Sequence, residues 1–338
     1  GERLKTNNPV AWREAHSRLY EYYKSSAKEL PDTLEEMAPL YAAVAHGCQA
    51  ENHQEAFTEV YWKRINREQA FFSTNQLGAF GSDLAALSGF FDTPWQKLVS
   101  TFAENLQSFI LNQAGFRLRA LSRLAEAAQP MQAGLEMDIA SKDWKNGAVH
   151  ASNLSELYLS SGEVPKAVES ARQSVELADR SEDAFQRMGK RATLADALHQ
   201  DGQLDEAEAL FREAEAIQKE MQPELPLLYS LQGFRYCDLL LSQGEFSEVL
   251  RRAAQTLEWY QQASGASLLA IAVDNLSLGR THLMQAQGAK KPDYTQTAAY
   301  LELAVTGLRQ AGQQQELPRG LLVRAELRRV MKEYERAQ

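Results

Sequence analysis

The sequence predicts an all-α fold built as a solenoid of antiparallel helix pairs. Segments with the same pattern recur at a nearly constant spacing along the 338 residues, and within each segment apolar residues recur three and four positions apart. The chain also holds only 10 prolines and 19 glycines, so long flexible linkers are not expected. A single helix pair cannot bury its own apolar face, and neighbouring pairs must therefore stack on one another.

The repeat is clearest in three segments that share a glycine, an apolar residue two positions later and a third residue, small or β-branched, five positions later. The three sets are Gly162/Val164/Ala167, Gly202/Leu204/Ala207 and Gly244/Phe246/Val249. The spacing is 40 residues from Gly162 to Gly202 and 42 from Gly202 to Gly244. Ser122 and Glu51 stand at the glycine position of two earlier units. Glycine suits the left-handed turn that ends a helix, so each unit is expected to be two helices joined there.

This frame resembles the tetratricopeptide repeat, which has a small residue at position 8 of its first helix, glycine near 15, an apolar residue at 17 and alanine at 20. Position 8 is occupied by Gly115, Ser155, Ala195, Cys237 and Ala325. The resemblance implies a right-handed superhelix in which the first helices line a concave face. A spacing of about 40 residues instead of the usual ~34 implies that each helix is about three residues longer.

The periodicity also predicts where the helices lie. A lead helix is expected at 9–29. Helix pairs are expected at 33–48/52–66, 102–119/123–140, 143–160/164–180, 183–200/204–221, 226–243/246–263 and 267–286/293–311, with a last first helix at 316–331. These helix positions divide the chain into three segments. They are a lead helix in 1–32, N-terminal repeats in 33–101, and regular repeats in 102–338 that are truncated in the last repeat.

The region 67–101 is predicted to be a degenerate helix pair, because glycines and Pro94 interrupt the period. It is also unusually aromatic. A docking patch is predicted at Phe71, Phe72, Phe90, Phe91 and Trp95. The alternative is that these aromatic side chains are the core of a repacked, irregular pair.

Composition and charge exclude several classes of partner. The net charge is −9, and phosphate binding needs clustered Lys and Arg, so neither nucleic acid nor a membrane is an expected partner. No apolar run approaches the ~18 residues of a membrane span. The two cysteines, Cys48 and Cys237, are far apart in sequence, which favours a reducing compartment, and we expect a cytoplasmic protein.

The sequence holds no motif of a catalytic, cofactor or metal site, and we expect that it is not an enzyme. It has no G-x-x-x-x-G-K-[ST] to cradle a nucleotide phosphate, no H-E-x-x-H and no C-x-x-C. His46, Cys48 and His53 are close in sequence, but His46 and Cys48 diverge by about 200° on a helix. A helix turn with a packed cysteine therefore explains them better than a metal.

The positions that line the concave face of tetratricopeptide repeats predict a ligand-binding groove. Its residues are Ser152, Asn153, Glu156, Thr193, Asp196, His199, Arg235 and Asp238. Glu156, Asp196 and Asp238, all at position 9, form an acidic ladder that would favour a cationic or amide-bearing ligand. A solvated face without a ligand is the alternative. The register of the next first helix stays open; if Gly279 takes position 8, Arg280 takes position 9 and the ladder breaks there.

Longer phrases are similar to the C-terminal tetratricopeptide region of bacterial STAND NTPases, the group related to NB-ARC and NACHT immune receptors. They include LPDTLEEMAPLYAAVAHGCQAENHQEAFTEVYWKRI and QSVELADRSEDAFQRMGKRATLADALHQDGQLDEAEALFREAEAIQKEMQ. The opening GERLKTNNPVAWREAH is similar to the junction between a winged-helix element and the repeats in such proteins. We therefore expect the chain to be a piece of a longer protein.

The resemblance implies a non-enzymatic, ligand-sensing and autoregulatory arm of a STAND-type signalling ATPase. Such an arm binds a protein or peptide trigger, contacts the upstream NTPase domain of the same chain, and controls NTPase oligomerisation and effector activation, for instance in antiviral defence. No cofactor is expected in this segment, and ATP is expected only in the upstream domain. The alternative is a tetratricopeptide scaffold for protein–protein interaction in another effector or transcription-regulating system.

Overall fold

The computed structural model describes residues 2–262 and 266–333. Within them the chain is a succession of helices, and the prediction of an all-α stack of helix pairs is confirmed. Its contacts divide it into two compact units, residues 1–130 and 131–338. The predicted segments 1–32, 33–101 and 102–338 stay predictions; position 1, position 263 and the predicted end of the last repeat at 334–338 lie outside the described residues.

The first unit opens with helices that begin at side-chain caps. Its elements are α1 (Glu2–Asn7), α2 (Pro9–Ser26), α3 (Leu34–Gln49), α4 (His53–Glu55), a π-helix that continues α4 (Ala56–Ile65), a 3₁₀ turn (Glu68–Ala70), α5 (Phe72–Asn75), α6 (Phe80–Ser88), β1 (Phe91–Thr93), β2 (Lys97–Leu98) and α7 (Glu104–Ala120). Asn8 accepts a hydrogen bond from the amide of Ala11 at 3.1 Å, and Thr33 accepts one from Glu36 at 3.2 Å. These bonds satisfy amides that have no partner inside a helix.

The region 67–101 departs from the repeat as expected, but it forms short helices and a β-hairpin instead of a helix pair. Left-handed backbone at Arg67 (φ 52°) and Phe71 (φ 44°) breaks the helical path before α5. β1 and β2 pair antiparallel with Phe91 opposite Leu98, and Trp95 in the turn between them also has a positive φ of 64°. No sequence pattern signals the hairpin, because residues other than glycine rarely adopt such a backbone.

A buried ion pair anchors this irregular region to the helices around it. Asp83 of α6 and Arg117 of α7 are buried, with the guanidinium Nε 2.5 Å from a carboxylate oxygen. Tyr61 donates to Asp83 at 2.8 Å and Ser73 donates to it at 2.9 Å. The pair therefore has the hydrogen bonds that a desolvated carboxylate needs.

The second unit contains the regular helix pairs, and α8 (Leu124–Ser141) crosses into it at Pro130. The helices that follow are α9 (Trp144–Ser160), α10 (Val164–Ser181), α11 (Ala184–Gln200), α12 (Leu204–Met221), α13 (Ser230–Ser242), α14 (Phe246–Gln262), α15 (Leu268–Gly288), α16 (Thr295–Ala311) and α17 (Leu317–Val330). Their ends fall within about four residues of the predicted ones, since capping and turn signals are local in sequence.

The largest difference is the start of α13, which was predicted at 226 and lies at Ser230. Pro223 and Pro226 precede it, and proline both lacks an amide donor and disfavours helical backbone in the residue before it. The chain is still extended at Tyr229, with φ −131° and ψ 176°. Apolar periodicity through 226–229 was therefore not sufficient to start the helix.

The same left-handed turn ends successive first helices. At Gly162, Gly202 and Gly244 the backbone has φ of 75°, 81° and 81°. After each glycine, the next amide bonds the carbonyl five positions earlier, as in the 2.9 Å bond from Gln203 N to Leu198 O. This hydrogen bond joins the first and sixth residues of the turn. It satisfies a carbonyl that the end of the helix leaves without a partner.

Residues other than glycine adopt the same turn in the less regular units. Ser122 and Glu51, which the repeat frame aligned with the glycines, have φ of 59° and 65°. Lys332, at the end of the last described helix, has φ 61°. The frame therefore identified the turn position even where its glycine is absent.

Small residues allow the helices of a pair to pack closely. Ser155, Ala195 and Cys237, all at position 8, are buried. A methyl group at Gly279 would lie 2.6 Å from Cδ2 of Leu301, so α15 and α16 approach each other at this glycine. Gly279 thus takes position 8, and the open register of α15 is settled with Arg280 at position 9.

We expect Gly202→Ala to lower the free energy of unfolding by about 1 kcal/mol, because alanine strains a backbone with φ 81° while no atom lies within 4 Å of its new methyl group. Gly288→Ala is the matched control. It is also open to solvent but lies in ordinary helical backbone, and it should stabilise slightly, by about 0.5 kcal/mol. Urea denaturation measures both; equal effects would contradict the role of the turn.

Candidate ligand-binding site

Hydrogen bonds join predicted groove residues of three successive first helices. Ser152 on α9 donates to Thr193 Oγ1 on α11 at 3.2 Å, and Arg235 on α13 donates to the same oxygen at 3.4 Å. Thr193 itself donates to the carbonyl of Gly189 at 3.2 Å. Stacking therefore brings together side chains that lie 41 and 42 positions apart in sequence.

Arg235 also bridges two of the predicted acids. Its Nη2 lies 2.7 Å from Glu156 Oε1, and its Nε lies 3.2 Å from Asp196 Oδ2. All three side chains are largely shielded from solvent, with exposed fractions of 10%, 14% and 4% for Arg235, Glu156 and Asp196. One guanidinium therefore pairs with both carboxylates, and the three side chains together keep one negative charge.

The third acid of the predicted ladder is also paired. Asp238 on α13 lies 2.6 Å from Nη1 of Arg280 on α15. We name Glu156, Asp196, Arg235, Asp238 and Arg280 the charged strip. The predicted acids do lie on successive first helices, but the expectation of an open acidic ladder is wrong, because Arg235 on α13 and Arg280 on α15 form ion pairs with them.

Removal from water perturbs the protonation equilibria of the strip. Burial raises the pKa of the Asp196 carboxyl, and Arg235 offsets this only in part. Burial acts to lower the pKa of Arg235, but the carboxylates of Glu156 and Asp196 outweigh it and leave that pKa raised. Each charge therefore depends on its neighbours for the stabilisation that water would otherwise supply.

Lys190 on α11 is a cation beside the strip that the sequence did not single out. Its side chain is partly exposed, and it forms no hydrogen bond or ion pair with the described residues. Burial lowers the pKa of its amine to about 8, although the carboxylate of Glu156 opposes the change. Helical spacing alone could not reveal it, because position 3 of the first helix was not expected to face the groove.

The remaining predicted groove residues, Asn153 and His199, are partly exposed. Nδ1 of His199 is shielded from solvent and has no hydrogen-bond partner among the described residues. The assignment of Asn153 and His199 to a ligand-binding groove stays a prediction.

The predicted aromatic docking patch is not a continuous surface. Phe90, Phe91 and Trp95 are buried, whereas Phe71 and Phe72 are partly exposed. The ring of Phe90 packs edge-on against Phe57 and Phe102, at centroid distances of 5.4 and 5.7 Å. Phe91 packs against Trp95 at 5.3 Å.

The inclusion of Phe90, Phe91 and Trp95 in a docking surface is therefore wrong. The aromatic rings of the irregular region pack into a core that they share with Phe57 and Phe102 on either side of it. Phe71 contacts Trp62 at 5.7 Å, and the guanidinium of Arg67 lies 3.5 Å from the ring centroid of Phe72. Docking at these two residues stays a prediction.

Among the described residues, no three His, Cys, Asp or Glu side chains are placed to hold a metal ion. No helix in the same part of the chain is long and apolar enough to cross a membrane. Cys48 and Cys237 are buried and unpaired, and burial raises the pKa of each thiol to about 12.

Solved structures share the architecture of this chain. A Rap protein complexed with Competence and Sporulation Factor aligns with 99% of this chain and 84% of its own, at 12% identity and a TM-score of 0.51. The apo form of RapI aligns with 96% and 78%, at 9% identity and a TM-score of 0.53. The chain has a tetratricopeptide-like fold.

A third structure, a putative kinesin light chain with nearly identical TPR-like repeats from Podosopora anserina, covers 63% of this chain and 99% of its own. Its identity is 17% and its TM-score 0.42. No family model and no curated protein matches the sequence. At these identities the likeness concerns the fold alone.

We expect Arg235→Met to lower the free energy of unfolding by about 3 kcal/mol, because it leaves Glu156 and Asp196 shielded from water without their shared cation. Adding Asp196→Asn should recover part of the loss. Arg212→Met is the matched control: Arg212 pairs with Glu208 on an exposed helix face, where such pairs contribute at most about 0.5 kcal/mol. Equal losses in urea denaturation for Arg235→Met and Arg212→Met would contradict the bridge.

Proposed function

We propose that residues 131–338 form the ligand-binding part of a non-enzymatic protein-interaction scaffold, and that the charged strip contacts a protein or peptide ligand. The observation that carries this proposal is the row of charges contributed by four successive first helices, α9, α11, α13 and α15. Lys190 adds a cation beside this row without a bonded partner among the described residues.

Energetics favour a binding role over a purely structural one. Taking ions out of water costs several kcal/mol each, and apolar residues of similar volume at such positions often give equal or greater stability. The core of the same helices is built from Ala192, Ala195 and Leu198, so apolar packing was available. Charges that are desolvated and perturbed in pKa are characteristic of functional surfaces.

The charged strip is also accessible enough for a ligand to replace some of its internal ion pairs. Glu156, Asp238 and Arg280 keep exposed fractions of 14%, 13% and 27%, so a ligand can reach them without unfolding the stack. Since the strip carries both signs, it would bind a segment that carries both signs. This replaces the cationic or amide-bearing ligand expected from an open acidic ladder.

A more specific role follows from the sequence resemblance. We propose that the chain is the sensing and autoregulatory arm of a STAND-type signalling ATPase in the cytoplasm, where it contacts an upstream NTPase domain and is released by its trigger. The tetratricopeptide-like fold is compatible with this role. A scaffold in another effector or transcription-regulating system has the same fold and stays the alternative.

The binding role predicts that random peptides displayed on phage and panned against the 338-residue chain yield binders that depend on the strip. Asp238→Asn and Lys190→Met should each weaken the selected peptides by about 10-fold or more, as expected for the loss of a charged contact. Isothermal titration calorimetry measures the affinities, and thermal unfolding confirms that the variants fold.

Glu224→Gln is the control, since Glu224 is an exposed carboxylate between two prolines and away from the strip. Its affinities should match the wild type. Failure to select any peptide, or peptides that bind all three variants equally, would reject the strip as the binding surface.

The signalling role has a separate test. The reading frame upstream of this segment should encode a G-x-x-x-x-G-K-[ST] motif within the preceding few hundred residues, because an NTPase needs it to hold phosphate. A frame without this motif would leave only the alternative scaffold.

A further inference from the structure

Residues 312–319 are the link after α16 together with the first three residues of α17, and we call them the turn. They lie against Phe234 of α13, the residue next to Arg235 of the charged strip. Gly312 ends α16 with φ 73° and redirects the chain. Arg319 places its guanidinium carbon 5.6 Å from the ring centroid of Phe234, and Leu317 packs on the apolar cluster that contains Phe234. Phe234 belongs to α13, and the turn leads into α17. The turn therefore reaches past α15, which is the first helix between α13 and α17.

The charges of the turn match those of the strip. The carboxylate of Glu316 is among the charges that raise the pKa of Arg235, and the guanidinium of Arg319 is among those that act to lower the pKa of Asp196. Glu316 and Arg319 also pair with each other at 3.1 Å. The turn therefore presents an acid and a base, three positions apart, to a base and an acid of the strip.

The turn occupies the place where the repeat frame positions a ligand. Phe234 and Arg235 are at positions 5 and 6 of their first helix, two of the positions expected to line the groove. Gln313 and Glu316 are polar and yet only 7% and 8% exposed, as expected for side chains covered by the stack.

The fit of the turn is incomplete, which makes it displaceable. Oε1 of Gln315 is shielded from solvent without a hydrogen-bond partner among the described residues, and such a group costs about 1–3 kcal/mol. The side chain of Arg319 is 43% exposed, so its contact with Phe234 competes with water.

We propose that residues 312–319 are a built-in competitor for the charged strip, and that the ligand presents a carboxylate and a cationic side chain about one helical turn apart, as Glu316 and Arg319 do. This inference rests on the proposed binding role of the strip and adds the chemistry of its ligand. A ligand of this kind replaces the turn, so the segment that leads to α17 is released when the ligand binds.

The test uses a synthetic peptide that copies residues 311–322, AGQQQELPRGLL, and a second peptide in which the glutamate and the arginine are exchanged. The tethered turn has an effective concentration on the order of millimolar, so the free peptide should bind the wild-type chain weakly. In the Glu316→Gln/Arg319→Ala chain the copied peptide should bind at least about 10-fold more tightly, as measured by fluorescence anisotropy. The exchanged peptide should not gain affinity.

Glu326→Gln/Arg329→Ala is the matched control, because these residues form an ion pair with the same spacing in α17 at 2.6 Å. It should leave the affinity of the copied peptide at the wild-type value. The inference is overturned if both double variants bind the peptide equally, or if the exchanged peptide binds the Glu316→Gln/Arg319→Ala chain as tightly as the copied one.

Hydrogen exchange of the wild-type chain provides a second readout that needs no variant. A phage-selected peptide that depends on Asp238 should speed amide exchange in residues 313–320. If such a peptide binds and exchange there is unchanged or slower, the competitor role fails while the binding role of the strip stands. If no selected peptide depends on the strip, the binding role itself fails.

Discussion

The stack depends on the abrupt left-handed turn that closes the first helices α3, α7, α9, α11 and α13. It reverses the chain within three residues, so the second helix can pack back on the first along its whole length. Where glycine stands at the turn, as at Gly202, the backbone reaches φ 81° without a side chain to strain it. Where Ser122 or Glu51 stands there, a non-glycine residue adopts the same conformation, and the amide after it bonds the carbonyl five positions earlier, as it does after each glycine.

Much of the helical framework could be predicted from the sequence, because its signals are local. Apolar spacing and the turn frame located α9 to α12 almost to the residue, and they aligned Ser122 with glycines 40 and more positions away. The β-hairpin at Phe91–Leu98 could not be predicted, since it needs a positive φ at Trp95, which is not a glycine. The buried pair of Asp83 with Arg117 could not be predicted either, because it is a long-range contact that leaves no periodic trace.

The candidate site was predictable only in part. The repeat frame placed Glu156, Asp196 and Asp238 on a common face, yet it gave no information about which cations reach them. Arg235 is among the predicted groove residues, but its ion pair with Glu156 depends on the distance between α9 and α13. Arg280 depended on a register that the close approach of Gly279 to Leu301 decides, and Lys190 lies at a position that the repeat frame does not direct into the groove.

Arg235 has a consequence for how the second unit unfolds. In a linear array of repeats, each unit usually contacts only its nearest neighbours, and the array can lose structure from one end, unit by unit. The bond from Arg235 to Glu156 spans 79 residues and joins α13 to α9 across α11, so it couples second neighbours. Loss of any one of these three repeats leaves a shielded charge without its partner in the others. The middle of the array should therefore behave as one cooperative block of about three repeats, while the pairs beyond it can open without it.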